Sequence, residues 1–148
     1  MRSRRMRFGL LCAGLLLTWG CTPQGELPQA LDGDWDVQQV AGASLGEGVR
    51  IHIDIDAERG LITGFTGCNE FSAPMDAFSD AISIGQVREE DAPCPSPAAA
   101  TDETRFLGVL SSIGRYSRRG RSLELLPRES GEALLRLRYA DVQDAQGG

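Results

Sequence analysis

The fold is decided by the stretch Val49-Arg50-Ile51-His52-Ile53-Asp54-Ile55-Asp56. Apolar residues occupy every odd position, and charged or imidazole side chains occupy every even one. This period of two predicts a β-strand with one buried and one solvent-facing side. Residues 57–60 then carry a turn signal, and Leu61 to Thr66 is predicted to return as the partner strand of a hairpin.

Short strand signals continue on both sides of this hairpin. One strand starts at Trp35, ahead of a Gly-rich loop over residues 41–48, and others are predicted at 81–84, 122–126 and 134–139. In the last of these, Arg136 and Arg138 alternate with apolar residues and are expected to face outward.

Helical spacing occurs once, in four apolar residues at positions i, i+3, i+4 and i+7: Phe106, Val109, Leu110 and Ile113. Ser96 is the predicted N-cap, Pro97 the first helical residue and Gly114 the left-handed residue that ends the helix. Short antiparallel strands with one helix predict a β-rich α+β fold. Its form would be a mostly antiparallel curled sheet or small barrel with one packed amphipathic helix.

Length and charge narrow the class of protein. The chain has 148 residues, enough for one domain, with 15 arginines, no lysine and 21 acidic residues. Without the first 20 residues, 11 arginines face 21 acids, a net charge of -10. This balance argues against a nucleic-acid partner, which requires a basic face to displace counterions from phosphate.

The N-terminus is typical of an export signal. Four arginines lie in residues 1–7, and residues 8–20 form an apolar run. A helix of that length reaches about 20 Å, short of a hydrocarbon core of about 30 Å. The run ends at Gly20-Cys21 and resembles the lipobox of bacterial lipoproteins, with plain secretion and an uncleaved anchor as alternatives.

We therefore predict a lipoprotein signal peptide over 1–20 and lipidation of Cys21, through which the protein would contact the membrane. By the sorting habit of Gram-negative lipoproteins, Thr22 favours the outer membrane. Residues 21–30 contain two prolines and read as a flexible tether, and the polar segment 141–148 is expected to be a disordered tail.

The ordered motifs between these ends resemble one family. They are Leu31-x-Gly33-x-Trp35, Gly64-Phe65-Thr66-Gly67-Cys68-Asn69-x-Phe71, Cys94, Glu103-x-x-Phe106-x-x-x-Leu110, Tyr116 and Leu123-x-Leu125. Over residues 31–140 the chain resembles the META domain, also called the HslJ-like domain. The resemblance implies a small conical β-barrel with one packed helix, often in exported lipoproteins linked to heat shock or envelope stress, with no established enzymatic activity.

Two cysteines remain once Cys12 leaves with the signal and Cys21 takes lipid. An even pair in an oxidising compartment predicts a disulfide between Cys68 and Cys94, with a zinc half-site or two free thiols as alternatives. Asn69 and Glu70, beside this pair, are candidate binding residues. The alternative for Asn69 is that it satisfies local backbone groups.

Motifs for catalysis are incomplete. Residues 42–46 match the Gly-x-Ser-x-Gly nucleophile elbow, but they precede a strand, and the one histidine, His52, follows only eight residues later than Ser44. The acids at 54, 56 and 58 lack the glycine and glutamate that a calcium loop requires, because Arg59 and Phe65 stand there. We predict no catalytic residue, no metal site and no cofactor.

The predicted function is that of a non-catalytic cell-envelope lipoprotein that binds or stabilises an envelope component, as a protein partner or a small ligand. The alternative is an inhibitor or small-ligand-binding module that captures an envelope or extracellular hydrolase. An acidic surface would steer such a module toward basic partners such as lysozyme-like enzymes.

Overall fold

The computed structural model describes residues 31–140, which form ten β-strands and one α-helix. In chain order they are β1 Gly33–Val40, β2 Ala43–Ser44, β3 His52–Asp56, β4 Leu61–Phe65, β5 Glu70–Phe78, β6 Ala81–Ile84, β7 Arg88–Glu89, α1 Pro97–Leu110, β8 Ile113–Arg119, β9 Ser122–Pro127 and β10 Leu135–Tyr139.

Eight of these strands close into an antiparallel barrel. Neighbours follow the order β10, β9, β8, β6, β5, β4, β3, β1, and the pairing of β1 with β10 completes the ring. The two-residue strands β2 and β7 are additions that pair with β1 and β5. The predicted fold class, a mostly antiparallel barrel with one packed helix, is confirmed.

The structure confirms the predicted alternation of buried and solvent-facing residues in β3. Ile51, Ile53 and Ile55 are each at most 1% exposed, whereas His52 and Asp54 face solvent. Large apolar side chains from the strands and from α1 form one buried core. Those that are essentially fully buried are Leu31, Trp35, Ile51, Ile53, Ile55, Ile62, Phe106, Leu110, Ile113, Leu123, Leu125 and Leu135.

The motif Leu31-x-Gly33-x-Trp35 lies at the start of the barrel and holds β1 against β10. The indole N–H of Trp35 donates a hydrogen bond to the backbone oxygen of Leu31 at 2.8 Å, and its ring meets Tyr139 edge-to-face at 5.2 Å. Gly33 has a φ of 120°, and a Cβ there would lie 2.6 Å from the Tyr139 ring. Glycine is therefore required for the closing strand to approach β1.

The start of α1 agrees with the sequence, but its end does not. The Ser96 hydroxyl accepts the N–H of Ala99 at 3.1 Å, and Pro97 is the first helical residue. The prediction that Gly114 ends the helix was wrong, because Ser111 is the C-cap and Ile113 already belongs to β8. Gly114 lies within β8, where a Cβ would come 2.5 Å from the Cα of Arg128.

Two strands of the ring, β5 and β8, were not predicted from the sequence. β5 is nine residues long and alternates as a strand should, with Phe71, Ala73 and Met75 buried. Pro74 interrupts its strand signal, yet it faces solvent in the structure. In residues 31–140 no helix is long and apolar enough to cross a membrane.

Candidate functional site

Several predicted features lie outside the described residues. These are the signal peptide over 1–20, the lipidated Cys21, the tether over 21–30 and the tail over 141–148. They remain predictions.

The cysteine pair is joined. A disulfide links Cys68 to Cys94 across 26 positions of the chain, with the two Cα atoms 4.8 Å apart. It fastens the turn between β4 and β5 to the segment that leads into α1. Both cysteines are half-buried, so the bridge lies at the barrel surface and outside the apolar core.

Asn69 and Glu70 point in different directions. Asn69 is buried and makes two hydrogen bonds to the backbone of Ala92. Asn69 Oδ1 accepts the Ala92 N–H at 2.8 Å, and Asn69 Nδ2 donates to the Ala92 carbonyl oxygen at 3.3 Å. Its Nδ2 also donates to Glu103 Oε1 at 3.0 Å. These contacts hold the segment that carries the second cysteine, whereas Glu70 is exposed on the outer surface.

Two acidic residues of α1 fasten the helix to the barrel. Glu103 Oε1 accepts hydrogen bonds from Thr66 Oγ1 and Asn69, and its Oε2 lies 3.3 Å from the sulfur of Cys94. Asp102, 1% exposed, accepts the backbone N–H of Gly46 at 2.7 Å. The glycine loop that resembles a nucleophile elbow is therefore held against α1, and Ser44 faces solvent beside it.

An open groove of about 580 Å³ crosses the outer surface of β1, β3, β4, β5 and β7. We call it the acidic groove, and its lining residues are Asp34, His52, Asp54, Thr63, Gly64, Glu70, Phe71, Ser72, Arg88, Glu89 and Glu90. Five of the eleven carry carboxylates, against one arginine and one histidine. Glu70 belongs to this groove, while Asn69 does not.

Strand register arranges outward side chains in two rows across the groove, and the second row extends beyond the groove lining to Asp36 and Phe65. One row, from β1 to β7, is Asp34, Asp54, Thr63, Ser72 and Arg88. The next row is Asp36, His52, Phe65 and Glu70. Residues paired across antiparallel strands share a face and lie close together, so carboxylates far apart in sequence gather on one surface.

Carboxylates crowd one another at the middle of this surface. The pKa of Asp54 is raised above its usual value, first by partial desolvation of its carboxylate and then by repulsion from Asp34, Asp56 and Asp32. His52 opposes this shift and lowers the pKa. A cation placed beside Asp54 would relieve the repulsion.

Charge is unevenly distributed along the described chain. Residues 31–91 contain 13 acidic residues and 3 arginines, whereas residues 111–140 contain 7 arginines and 3 acidic residues. The second segment forms β8, β9 and β10, where Arg136 pairs with Glu124 at 3.1 Å and donates to Gln39 at 2.9 Å. The described chain is therefore acidic over residues 31–91 and basic along β8, β9 and β10.

Comparison with known proteins agrees with this architecture. The family model described as META domain matches residues 28–141. The chain belongs to the META domain family. No curated protein matches the sequence at a significant level.

Two solved structures share the fold of this META domain. One is an NMR structure of a protein from Burkholderia xenovorans, 17% identical, with a TM-score of 0.61, covering 95% of this chain and 99% of that one. A second NMR structure is also 17% identical, with a TM-score of 0.59, covering 76% of this chain and 92% of that one. At this identity the likeness concerns the fold.

The acidic groove was not predicted as a unit. The alternation of β3 predicts a solvent-facing surface with His52, Asp54 and Asp56, but Asp34 and Glu70 come beside them only through strand pairings that were not predicted. Arg88, Glu89 and Glu90 carried no strand signal. The signal that was available is the excess of acids in residues 31–91.

Proposed function

We propose that this META domain is a non-catalytic binding module whose acidic groove receives a cationic segment of its partner. The observation that carries the proposal is the acidic groove itself, in which Asp34, Asp54, Glu70, Glu89 and Glu90 line one open depression. Clefts lined by charge of one sign concentrate ligands of the opposite sign and raise their rate of association.

The electrostatics of the groove favour a positively charged ligand in particular. Repulsion from neighbouring carboxylates contributes to the raised pKa of Asp54, so a bound ammonium or guanidinium group would be stabilised by several acids at once. Guanidinium groups also bind carboxylates through two parallel hydrogen bonds, which makes an arginine-containing segment a suitable ligand.

The shape of the described chain supports a macromolecular partner over a small apolar ligand. The barrel interior is filled by side chains such as Trp35, Phe106 and Leu125, each 0% exposed. Pockets for small apolar ligands are concave and lined mainly by hydrophobic groups. The acidic groove is open and polar, which suits an extended basic segment lying across the strands.

We further propose that the domain acts in the cell envelope, attached to the outer membrane through lipidated Cys21. Support comes from the export signal and the lipobox-like Gly20-Cys21. Cys21→Ser is expected to abolish acyl labelling and move the protein to the soluble fraction, since one or more acyl chains supply its membrane affinity. Unchanged membrane retention in this variant would contradict the assignment.

A hydrolase inhibitor is the second candidate, because a cationic hydrolase presents the chemistry that the acidic groove would bind. Inhibition of a basic lysozyme by the purified domain, relieved by salt, would favour this role. Binding without inhibition would favour the stabilisation of an envelope component, with a link to envelope stress.

The absence of catalysis is part of the proposal and needs its own test. A screen of peptidoglycan, ester and peptide hydrolysis should show no turnover above background. Turnover that disappears in His52→Ala or Asp54→Asn would overturn the proposal, because these residues line the groove and are its candidate proton-transfer groups.

Binding is tested by titrating the domain with a deca-lysine peptide at increasing salt. The triple variant Asp54→Asn, Glu70→Gln, Glu89→Gln removes three groove carboxylates. A matched control neutralises three exposed acids elsewhere, at positions 47, 129 and 132. We expect the groove variant to bind at least ~10-fold more weakly and the control to bind nearly as well as the wild type, since each close charge pair contributes about 0.5 kcal/mol. Equal losses in both variants would refute a groove-specific site.

A further inference from the structure

Three groups with metal-ligand chemistry meet at the junction of the β4–β5 turn and α1. One ligand atom from each of Cys68, Cys94 and Glu103 lies within 4.8 Å of the others. All three residues are half-buried, so water reaches the junction. The two sulfurs are joined in the disulfide, and the third group is the carboxylate of a helix residue that the sequence did not connect with them.

The carboxylate of Glu103 is held in a fixed orientation. Its Oε1 accepts hydrogen bonds from Thr66 Oγ1 and from Asn69 Nδ2, the latter at 3.0 Å. Its Oε2 is thereby directed at the sulfur of Cys94, 3.3 Å away. A disulfide sulfur has no proton to donate, so in the bridged protein this contact is not a hydrogen bond.

We propose that reduction of the Cys68–Cys94 bridge converts this junction into a binding site for a thiophilic divalent cation of the zinc class. The ligands are the two cysteine sulfurs and Glu103 Oε2, with a water molecule as the fourth. Thiolate sulfur and carboxylate oxygen are both established zinc ligands, and four-coordinate tetrahedral geometry is the usual arrangement. This inference does not depend on the proposed binding function.

A dithiol can act as the reductant of the bridge. The dithiol supplies two electrons and two protons and becomes a disulfide, while the Cys68–Cys94 bond breaks and each sulfur takes one proton. The cation then displaces both thiol protons to solvent and binds the two thiolates together with the carboxylate. Metal affinity is therefore expected to rise with pH.

The geometry needs one local adjustment. With Zn–S of about 2.3 Å and Zn–O of about 2.0 Å, tetrahedral coordination places a sulfur and an oxygen roughly 3.5 Å apart. Glu103 Oε2 and Cys94 Sγ already lie at 3.3 Å. The two sulfurs must separate to roughly 3.8 Å by the same arithmetic, which rotation of the half-buried Cys68 side chain can provide.

The surroundings supply two features that metal sites share. Thr66 and Asn69 hold the free oxygen of the ligating carboxylate, as second-layer partners do in metalloproteins. Cys94 also precedes the N-cap Ser96 by two residues, and the N-terminus of the 14-residue helix carries partial positive charge that favours thiolate. Bound metal would keep the turn and the helix joined after the bridge is reduced.

The test is a titration with Co²⁺, under anaerobic conditions, of the predicted mature protein, from which Cys12 is removed and in which Cys21 carries lipid. The bridge is first reduced with a phosphine, which takes an oxygen from water and becomes its oxide while each sulfur takes one proton. Absorption from sulfur-to-cobalt charge transfer reports thiolate ligation, and Zn²⁺ should displace the cobalt. We expect one ion per chain in the reduced protein and no such absorption in the oxidised protein. Circular dichroism recorded in parallel shows whether the barrel persists.

Two variants distinguish a metal site that includes Glu103 from metal binding by the two thiols alone. Glu103→Gln keeps an oxygen for Thr66 and Asn69 while removing the charged ligand. We expect it to weaken binding at least ~10-fold, because loss of an outer-shell partner alone costs about 10- to 100-fold. Glu129→Gln, on an exposed carboxylate outside the acidic groove, should leave the affinity unchanged. The proposal is overturned if the reduced protein shows no charge-transfer absorption, if Glu103→Gln binds as tightly as wild type, or if reduction unfolds the barrel and metal does not restore it.

Discussion

Replacing Asp102 tests how α1 is fastened to the loop at residues 41–48. The Asp102 carboxylate is 1% exposed, accepts the Gly46 N–H at 2.7 Å through Oδ2, and pairs with Arg105 at 3.0 Å through Oδ1. Asp102→Ala removes both contacts and leaves the Gly46 N–H without its acceptor. Asp102→Asn keeps an oxygen for Gly46 but removes the charge.

The expected loss follows from these contacts. A hydrogen bond to a charged acceptor contributes roughly 1.5–3 kcal/mol. The Arg105 side chain is 30% exposed, so solvent screens the ion pair, and we assign it only about 0.5–1 kcal/mol. Alanine has a higher helix propensity than aspartate, which offsets up to about 0.7 kcal/mol of this loss. Asp102→Ala should therefore lower the free energy of unfolding by about 1.5–3 kcal/mol, and Asp102→Asn by about half as much.

Urea denaturation followed by tryptophan fluorescence measures the difference. The midpoint should fall in the order wild type, Asp102→Asn, Asp102→Ala, with an unchanged slope because the exposed surface on unfolding stays the same. Asp76→Ala, an exposed acid on β5, is the matched control and should stay within about 0.5 kcal/mol of wild type. An Asp102→Ala variant as stable as this control would refute the reasoning.

Three further predictions concern other contacts. Cys68→Ala combined with Cys94→Ala should lower the free energy of unfolding by about 3.5 kcal/mol, the loop-closure value for a bridge of this span, measured by denaturation without reductant. Because the folded-state pKa of Asp54 is raised, its contribution to stability is present below the unfolded pKa and lost as pH rises through the folded one. Asp54→Asn should accordingly raise stability near pH 7 by roughly 0.2–1 kcal/mol, with no gain in strong acid, and a pH series of melts checks this. Trp35→Phe removes the indole hydrogen bond to Leu31 and should cost about 1–3 kcal/mol, measured by urea denaturation followed by circular dichroism because Trp35 is the one tryptophan in residues 31–140.

Elements governed by local pattern were predictable. The alternation of Val49 to Asp56 fixed which side of β3 is buried, and Ser96-Pro97 located the start of α1. Both depend on neighbours in sequence, namely the period of a strand and the orphan N–H groups of a helix terminus.

Elements governed by distant neighbours were not predictable in the same way. Gly114 carries the sequence signal of a helix end, but its place is set by the approach of Arg128. Asp102 and Glu103 look like ordinary helix acids, and only the packing of α1 shows that one holds a loop and the other faces the bridge.

The acidic groove depends on register across five strands, which the sequence analysis did not assign. The alternation of apolar and polar residues identified the solvent-facing side of individual strands. A one-residue shift in the register of any strand would turn its carboxylates to the opposite face of the sheet. The groove therefore exists only in the folded barrel, where β5 and β7 lie beside β3 and β4.

The central claim, that the acidic groove is the binding surface, is tested most directly by NMR. Backbone amide shifts of the ¹⁵N-labelled domain are followed while deca-lysine is added at low salt. The account predicts that shifts concentrate on the groove strands, at residues such as Asp34, Asp54, Thr63, Ser72 and Glu89, with β9 and β10 little affected, and that salt reverses them. Shifts of equal size on β9 and β10, or no saturable shift in the groove, would contradict it.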